Sequence, residues 1–420
     1  MMNHTEVLSH FKQHEVSSWR QRTLLEVDAT FRQEREEWIA AFLNHFERWC
    51  SQLLEKQRRG EKGEIGYISY HLLRTRLQEK EAVYLVEGMD HTWWLDKQPY
   101  QGYYAVDWAF SSWMNCIQEL RSAAQSYGGK IRDPQLEKIA RNECEYFHRY
   151  VIELIRLAMP KAAKLDAYQQ LQREEIFEVR VGEYMDHSVL VYKEDRRQRE
   201  SEVVREWIRE RQDNDYAYEA YERLDLSDEH VIGLDFRYST FRKCHFKQID
   251  MRLSMLVGTR WEDCVLHQAD LSESLLHGAC FDGSDMRGAN LQKVVGGRSL
   301  EASTHWGMPS LDAVSFAHVD LRKANLSYAD LPQANLSSAD LSGGILHEVN
   351  LERAILCGAN LSDTQMQGVN LRYADLRGAD LTRANLEGAD LTGALVERVV
   401  LPSVEWKRLQ EGTKKWNTLY

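Results

Sequence analysis

The residues best suited to chemistry are few. Glu87 to Asp96 reads Glu-Gly-Met-Asp-His-Thr-Trp-Trp-Leu-Asp, a loop-like run of polar and aromatic groups. Asp90 and His91 in this run, with Glu145 and His148 spaced i,i+3 on a helix, could furnish a carboxylate–histidine metal or acid–base site. Only one such helical pair occurs, so surface ion pairs and satisfied histidines outweigh an enzyme of unknown reaction in this region. HExxH, GxSxG, a phosphate-binding glycine loop and CxxC are all absent from the sequence. The cysteines (Cys50, Cys116, Cys144, Cys244, Cys264, Cys280 and Cys357) are scattered and odd in number, as free thiols in a reducing compartment would be. No cofactor is implied.

The elements that would position these groups divide the chain. Its 420 residues carry a net charge of −12, with 28% charged and 43% apolar residues, which excludes disordered and membrane-embedded classes. No apolar run is long enough for a membrane span, and the start lacks the basic flank and apolar stretch of a secretory signal. A cytoplasmic location is expected, with non-classical secretion as an effector the alternative. Residues 1–230 hold 42 acidic and 33 basic side chains and residues 231–400 hold 21 and 16, a balance that argues against direct nucleic-acid binding.

Residues 1–230 read as a mainly helical domain. Trp19, Val27, Phe31, Phe42, Phe46, Trp49 and Leu53 give residues 16–57 an apolar helical face, which Gly60 ends. Further helices are expected over about 68–86, Tyr103 to Tyr127, from Pro134 to a stop at Pro160, over 161–174 and over 194–223. A small hairpin is expected near 176–192, where Ile176 to Val181 alternates and Val189 to Tyr192 follows Gly182. The Trp93-Trp94 pair fits an aromatic helical core better than a pocket.

From Phe236 a period of five takes over and holds to Leu401. Large apolar residues fall at Phe236, Phe241, Phe246, Met251, Leu256, Trp261 and onward, with a small residue two places before each. Neither a 3.6- nor a 2.0-residue period fits. A coil that turns a corner every five residues does, with four sides and twenty residues per turn. Phe241, Trp261 and Phe281 then form one interior ladder, and Cys244 lies over Cys264 as packed thiols rather than a metal pair. Glycines two places after the large residue, such as Gly258 and Gly378, suit the left-handed position of a type II turn, and Pro332 suits the position before it.

The runs Ala329-Asp330-Leu331, Ala334-Asn335-Leu336, Ala339-Asp340-Leu341 and Ala374-Asp375-Leu376 through Ala389-Asp390-Leu391 resemble the A(D/N)Lxx signature of pentapeptide-repeat proteins. The resemblance implies a right-handed quadrilateral β-helix over 231–401. The Asn or Asp is expected to stabilise the corner by bonding local backbone. Between Leu291 and Leu311 the pattern lapses for twenty residues. One complete coil is expected there, with an irregular coil or loop at 295–310 in which Trp306 caps the breach or meets a partner. Residues 402–420 are expected to cap the solenoid or make a homodimer.

The expected fold is therefore multidomain, a helical domain followed by a solenoid. The expected function is non-enzymatic: a rigid rod that binds a protein partner. Some proteins of the resembled family imitate duplex DNA and bind gyrase, which is the alternative reading. Its only credible acidic stripe here is Asp375, Asp380, Glu387 and Asp390.

Overall fold

Alternating patterns and glycine stops explain most of the first unit, which runs to Arg196; the second begins at Arg197. The computed structural model describes residues 3–197, 199–210, 216–298 and 312–400. The first unit begins with α1 (His4–Phe11) and α2 (Ser17–Arg58). Then come β1 (Ile65–Leu72), α3 (Arg74–Gln78), β2 (Val83–Met89) and β3 (Tyr100–Ala105). The helices α4 (Asp107–Phe110), α5 (Cys116–Ala124), α6 (Asp133–Ala162) and α7 (Asp166–Gln169) lead to β4 (Arg173–Glu183) and β5 (Ser188–Asp195).

The strands form one sheet in the order β3-β2-β1-β4-β5, with β1 and β4 parallel and the other pairs antiparallel. One face carries Tyr70, Tyr84 and Tyr104 against α2 and α6. There Phe42 lies 5.8 Å from Tyr70, and Tyr84 lies 5.7 Å from His148. Gly88 and Gly102 let the Trp49 indole of α2 lie flat on the sheet, since a Cβ would meet that ring at 2.9 and 2.7 Å.

The first unit is thus α+β rather than mainly helical. The helix expected over 68–86 is instead the β1–β2 hairpin, and the one expected from Tyr103 begins as β3. A central strand covered on both faces buries its polar as well as its apolar positions. Almost every residue of β1 is buried, and its apolar content imitates a helix core. The stop expected at Pro160 also fails, for α6 continues to Ala162. A proline so near the helix end forfeits little hydrogen bonding, while Ala158, Met159 and Ala162 are fully buried.

The second unit starts earlier than 231. Its α8 (Ser201–Arg209) is the described remnant of the helix expected over 194–223, and β6 (Ala220–Glu222) already belongs to the first coil. β6, β7 (Thr240–Arg242) and β8 (Arg260–Glu262) pair in parallel at a spacing of twenty residues. The other three sides show the same step, as in Asp225 to His245, His230 to Asp250 and Asp235 to Met255. The first coil escaped notice because Tyr216, Tyr221, Leu226 and Val231 lack the small-Asp/Asn-Leu signature.

One solenoid end is closed by α8, which occupies the place of a missing coil. Arg199 reaches Glu219 at 3.1 Å, Arg205 donates to the Asp225 carbonyl at 2.8 Å, and Arg209 reaches Glu229 at 2.6 Å, each twenty residues on. Its Val204 and Ile208 join the solenoid core.

Most corners are tight turns closed by a backbone bond, such as Ser239 N–H to the Phe236 carbonyl at 3.0 Å, while Ser254 N–H donates to the Ser274 hydroxyl at 3.0 Å instead. The third residue has positive φ whether or not it is glycine: +66° at Gly258 and +60° at Leu253. An L-residue there costs about 1–2 kcal/mol. Leu253 is also 57% exposed. Leu253→Gly is therefore expected to raise the unfolding free energy of the solenoid by about 1 kcal/mol, read by chemical denaturation.

The interruption is not a complete coil. Cys280 pairs with Ser315, Asp285 with Asp320 and Asn290 with Asn325, all at a step of 35. Fifteen residues are therefore inserted beyond the regular twenty, and Phe281 stacks on Phe316 at 5.3 Å. Val314 N–H donates to the Gly296 carbonyl at 2.7 Å, closing the corner across the insertion. Trp306 and residues 402–420 lie outside the described residues.

Candidate functional site

The solenoid surface is built by its corners. The residue before each large position points outward, and its Asp or Asn Oδ1 accepts the backbone N–H two residues on, as in Ser337 to Asn335 at 3.1 Å and Thr382 to Asp380 at 2.9 Å. Where that second residue is arginine, the pair becomes a two-pronged ion pair. Arg252 on Asp250, Arg287 on Asp285, Arg322 on Asp320 and Arg377 on Asp375 are examples. Arg377 holds the Asp375 carboxyl below the usual range, as Arg322 does for Asp320.

The four residues expected as an acidic stripe do not form one. Asp375 sits between Ile355 and Leu395 on one side of the coil, Asp380 between Asn360 and Val400 on the next, and Asp390 follows Asn370 on another. Glu387 is exposed at a corner. Residues fewer than twenty apart travel around a coil, so charges close in sequence cannot line up along it. The long ladder is Asp285, Asp320, Asp340, Asn360 and Asp380. Its first members are interleaved with cations, Arg287 reaching both Asp285 and Asp320.

Inside, Phe241 stacks on Trp261 at 4.1 Å and Trp261 on Phe281 at 5.2 Å. Cys244 and Cys264 are buried, each sulfur directed at a backbone carbonyl. All seven cysteines are free thiols.

In the first unit the expected polar cluster separates. Glu145 is exposed and pairs with Arg149 at 2.6 Å. His148 is buried on the helix side of the sheet, its Nδ1 2.5 Å from the Tyr84 hydroxyl, and burial with Arg74 and Arg149 lowers its pKa to about 3. Asp90 accepts from Thr92 N–H at 2.8 Å in a local turn, and exposed His91 lies 3.5 Å from Glu174. Among the described residues no group of three His, Cys, Asp or Glu could hold a metal ion.

What the 90–99 loop does cover is the other sheet face, where Tyr67, Ser69 and His71 of β1 neighbour Leu85, Glu87 and Met89 of β2. A buried Lys62–Asp96 ion pair pins the loop, and Asp96 also accepts Asp90 N–H at 2.9 Å. Trp93 lies on Tyr67 at 5.2 Å and Trp94 on His71 at 4.7 Å. Glu87 accepts from Gln101 at 2.8 Å and stands 3.6 Å from His71 Nε2. Ser69 and His71 were missed because their stretch read as helix. The alternation Tyr67-Ile68-Ser69-Tyr70-His71-Leu72 is the period-two signal that marks them.

A stack of twenty-residue coils, each of four five-residue sides, places this unit among parallel solenoids. Residues 262–292, 310–337, 334–372 and 359–398 match the family Pentapeptide repeats in eight copies. The second unit is a pentapeptide-repeat domain, and the match does not reach the first unit. Among solved structures, HetL is a pentapeptide repeat protein involved in heterocyst differentiation regulation from the cyanobacterium Nostoc sp. It is 27% identical, covering 49% of this chain and 95% of its own, with a TM-score of 0.23. QnrB1, a plasmid-mediated fluoroquinolone resistance protein, is 18% identical, covering 46% of this chain and 98% of its own, with a TM-score of 0.25. A pentapeptide repeat protein of the Arabidopsis thaliana thylakoid lumen is 25% identical, covering 23% and 72%, with a TM-score of 0.19. No curated protein matches the chain. No helix among the described residues is long and apolar enough to cross a membrane.

Proposed function

We propose that this chain is a non-enzymatic interaction scaffold whose repeat unit, a right-handed quadrilateral β-helix, is a rigid rod that displays binding side chains to a protein partner. The carrying observation is the locked corner. The sides pair from coil to coil at a regular step and most are closed by their own turn, so outward side chains keep fixed positions along straight ladders. Such pre-organisation lowers the entropy a partner must overcome on binding. The free thiols fit action in a reducing compartment.

Imitation of duplex DNA is the weaker reading. A duplex carries about one charge per ~1.7 Å of axis. Here the principal acidic ladder is interleaved with Arg287 and Arg322, and Asp375 is paired with Arg377. Affinity capture with the intact chain, read by mass spectrometry, is expected to enrich a defined protein partner, and gyrase supercoiling is expected to continue in its presence. Inhibition of supercoiling at nanomolar chain would favour the DNA-like reading. Turnover of a metabolite with no captured protein would overturn the scaffold reading.

A further inference from the structure

We infer that the sheet face under the 90–99 loop binds the guanidinium of an arginine displayed by a peptide or protein partner, with Glu87 accepting its N–H groups and Trp94 stacking on its plane. This names the partner chemistry of the first unit and rests on the scaffold reading.

The central strand places Ser69 and His71 on this face, both fully buried, and the Ser69 hydroxyl has no hydrogen-bond partner among the described residues. A buried polar group without a partner forgoes the hydrogen bond it would make in water. Glu87 lies directly across from Ser69 and is also buried. Its neighbours are the neutral Gln101 amide and the His71 ring, 3.6 Å away. Burial lowers the His71 pKa to about 4, against a raising effect from the Glu183 backbone, so the imidazole is neutral near pH 7. No described cation is paired with Glu87, and a buried carboxylate in that state calls for one.

The cover is built for a flat cation. Trp93 holds φ at +53°, a costly conformation for a bulky residue, and so lays two successive indoles along the face. Arg180 already sets its guanidinium 5.0 Å from the Trp93 ring centre. Trp94 covers His71 yet is 42% exposed, and Tyr184 approaches His71 from the opposite loop at 6.1 Å. Leu95 and Met185 extend this apolar rim into solvent. A swing of Trp94 uncovers an acceptor-rich site flanked by an indole. Arginine suits it better than lysine, because a planar fork donates to both carboxylate oxygens while stacking on an aromatic ring.

The test uses the full chain and immobilised peptides that each carry one central arginine, beside matched sets with citrulline or lysine there. Arginine peptides are expected to retain the chain, with binding about tenfold weaker for citrulline, which keeps the shape without the charge. Glu87→Gln is expected to lose about tenfold, and Trp94→Ala about three- to tenfold. Equal retention on citrulline, unaltered binding by both variants, or no retained arginine peptide overturns the inference. Either of the first two results leaves a captured partner, and so the scaffold reading, intact; arginine-dependent binding without any captured partner would do the reverse.

Discussion

On acidification from neutral pH toward pH 4, the first unit is expected to unfold while the repeat unit stays folded. Three histidines drive this. Burial, assisted by Arg48, lowers the pKa of His45 to about 4; burial lowers that of His71 to about 4; burial with Arg74 and Arg149 lowers that of His148 to about 3. The unfolded chain takes up these protons near the ordinary value of 6.5, and the folded unit refuses them until the lowered values are reached. Between those limits the unfolded state binds more protons, so stability falls as pH falls. Each histidine removes up to about 1.4 kcal/mol per pH unit, hence about 4 kcal/mol per unit for three. Two units of pH remove about 8 kcal/mol, comparable with the total stability of an ordinary domain.

The solenoid titrates elsewhere. Asp250, Asp320 and Asp375 have lowered pKa values because Arg252, Arg322 and Arg377 hydrogen-bond to them. Their contribution is complete above the ordinary carboxyl value and fades only as pH drops through the lowered ones. Hydrogen-exchange protection measured at pH 7, 5 and 4 should vanish from β1, β2 and α6 first, while coils 316–386 stay protected. Simultaneous loss in both units, or a first unit still protected at pH 4, would contradict this.

Excision of residues 299–313, joining Arg298 to Val314, should leave the repeat unit folded and raise its unfolding free energy by about 2 kcal/mol, the loop-closure entropy of fifteen residues. The junction is already made, for Val314 N–H donates to the Gly296 carbonyl at 2.7 Å in the same pattern as Ser239 to Phe236. After excision the step from Cys280 to Ser315 falls from 35 to 20 residues. A whole-coil deletion of twenty, 299–318, removes Phe316 and with it the stack on Phe281. It also turns every later side by a quarter and parts Arg287 from Asp320. The register can be read directly: a short bismaleimide should join cysteines placed at Asp285 and Asp320 but not at Asp285 and Asn325. The opposite cross-linking pattern would refute the fifteen-residue insertion.

The site in the first unit was half legible. Glu87 to Asp96 stood out by composition, and its loop does cover a polar sheet face. Its partners were misassigned: Glu145 and His148 lie on α6, whereas Ser69 and His71 come from a strand buried on both faces. Pro160 misled for a related reason, since local propensity is a weak prior when a helix end is buried.

For the repeat unit, the chain alone determined the five-residue step, which side chains face inward, and where each corner must bend. Those features depend on neighbours within five residues, and local backbone geometry carries them. Which side each residue occupies was decided only by stacking. Insertions of fifteen and twenty residues leave the same five-residue phase, yet only one returns Phe316 to the face of Phe281. The sheet of the first unit likewise needed β1 and β4 to meet across about a hundred residues of chain. Contacts between segments so distant in sequence leave no periodic trace in either one.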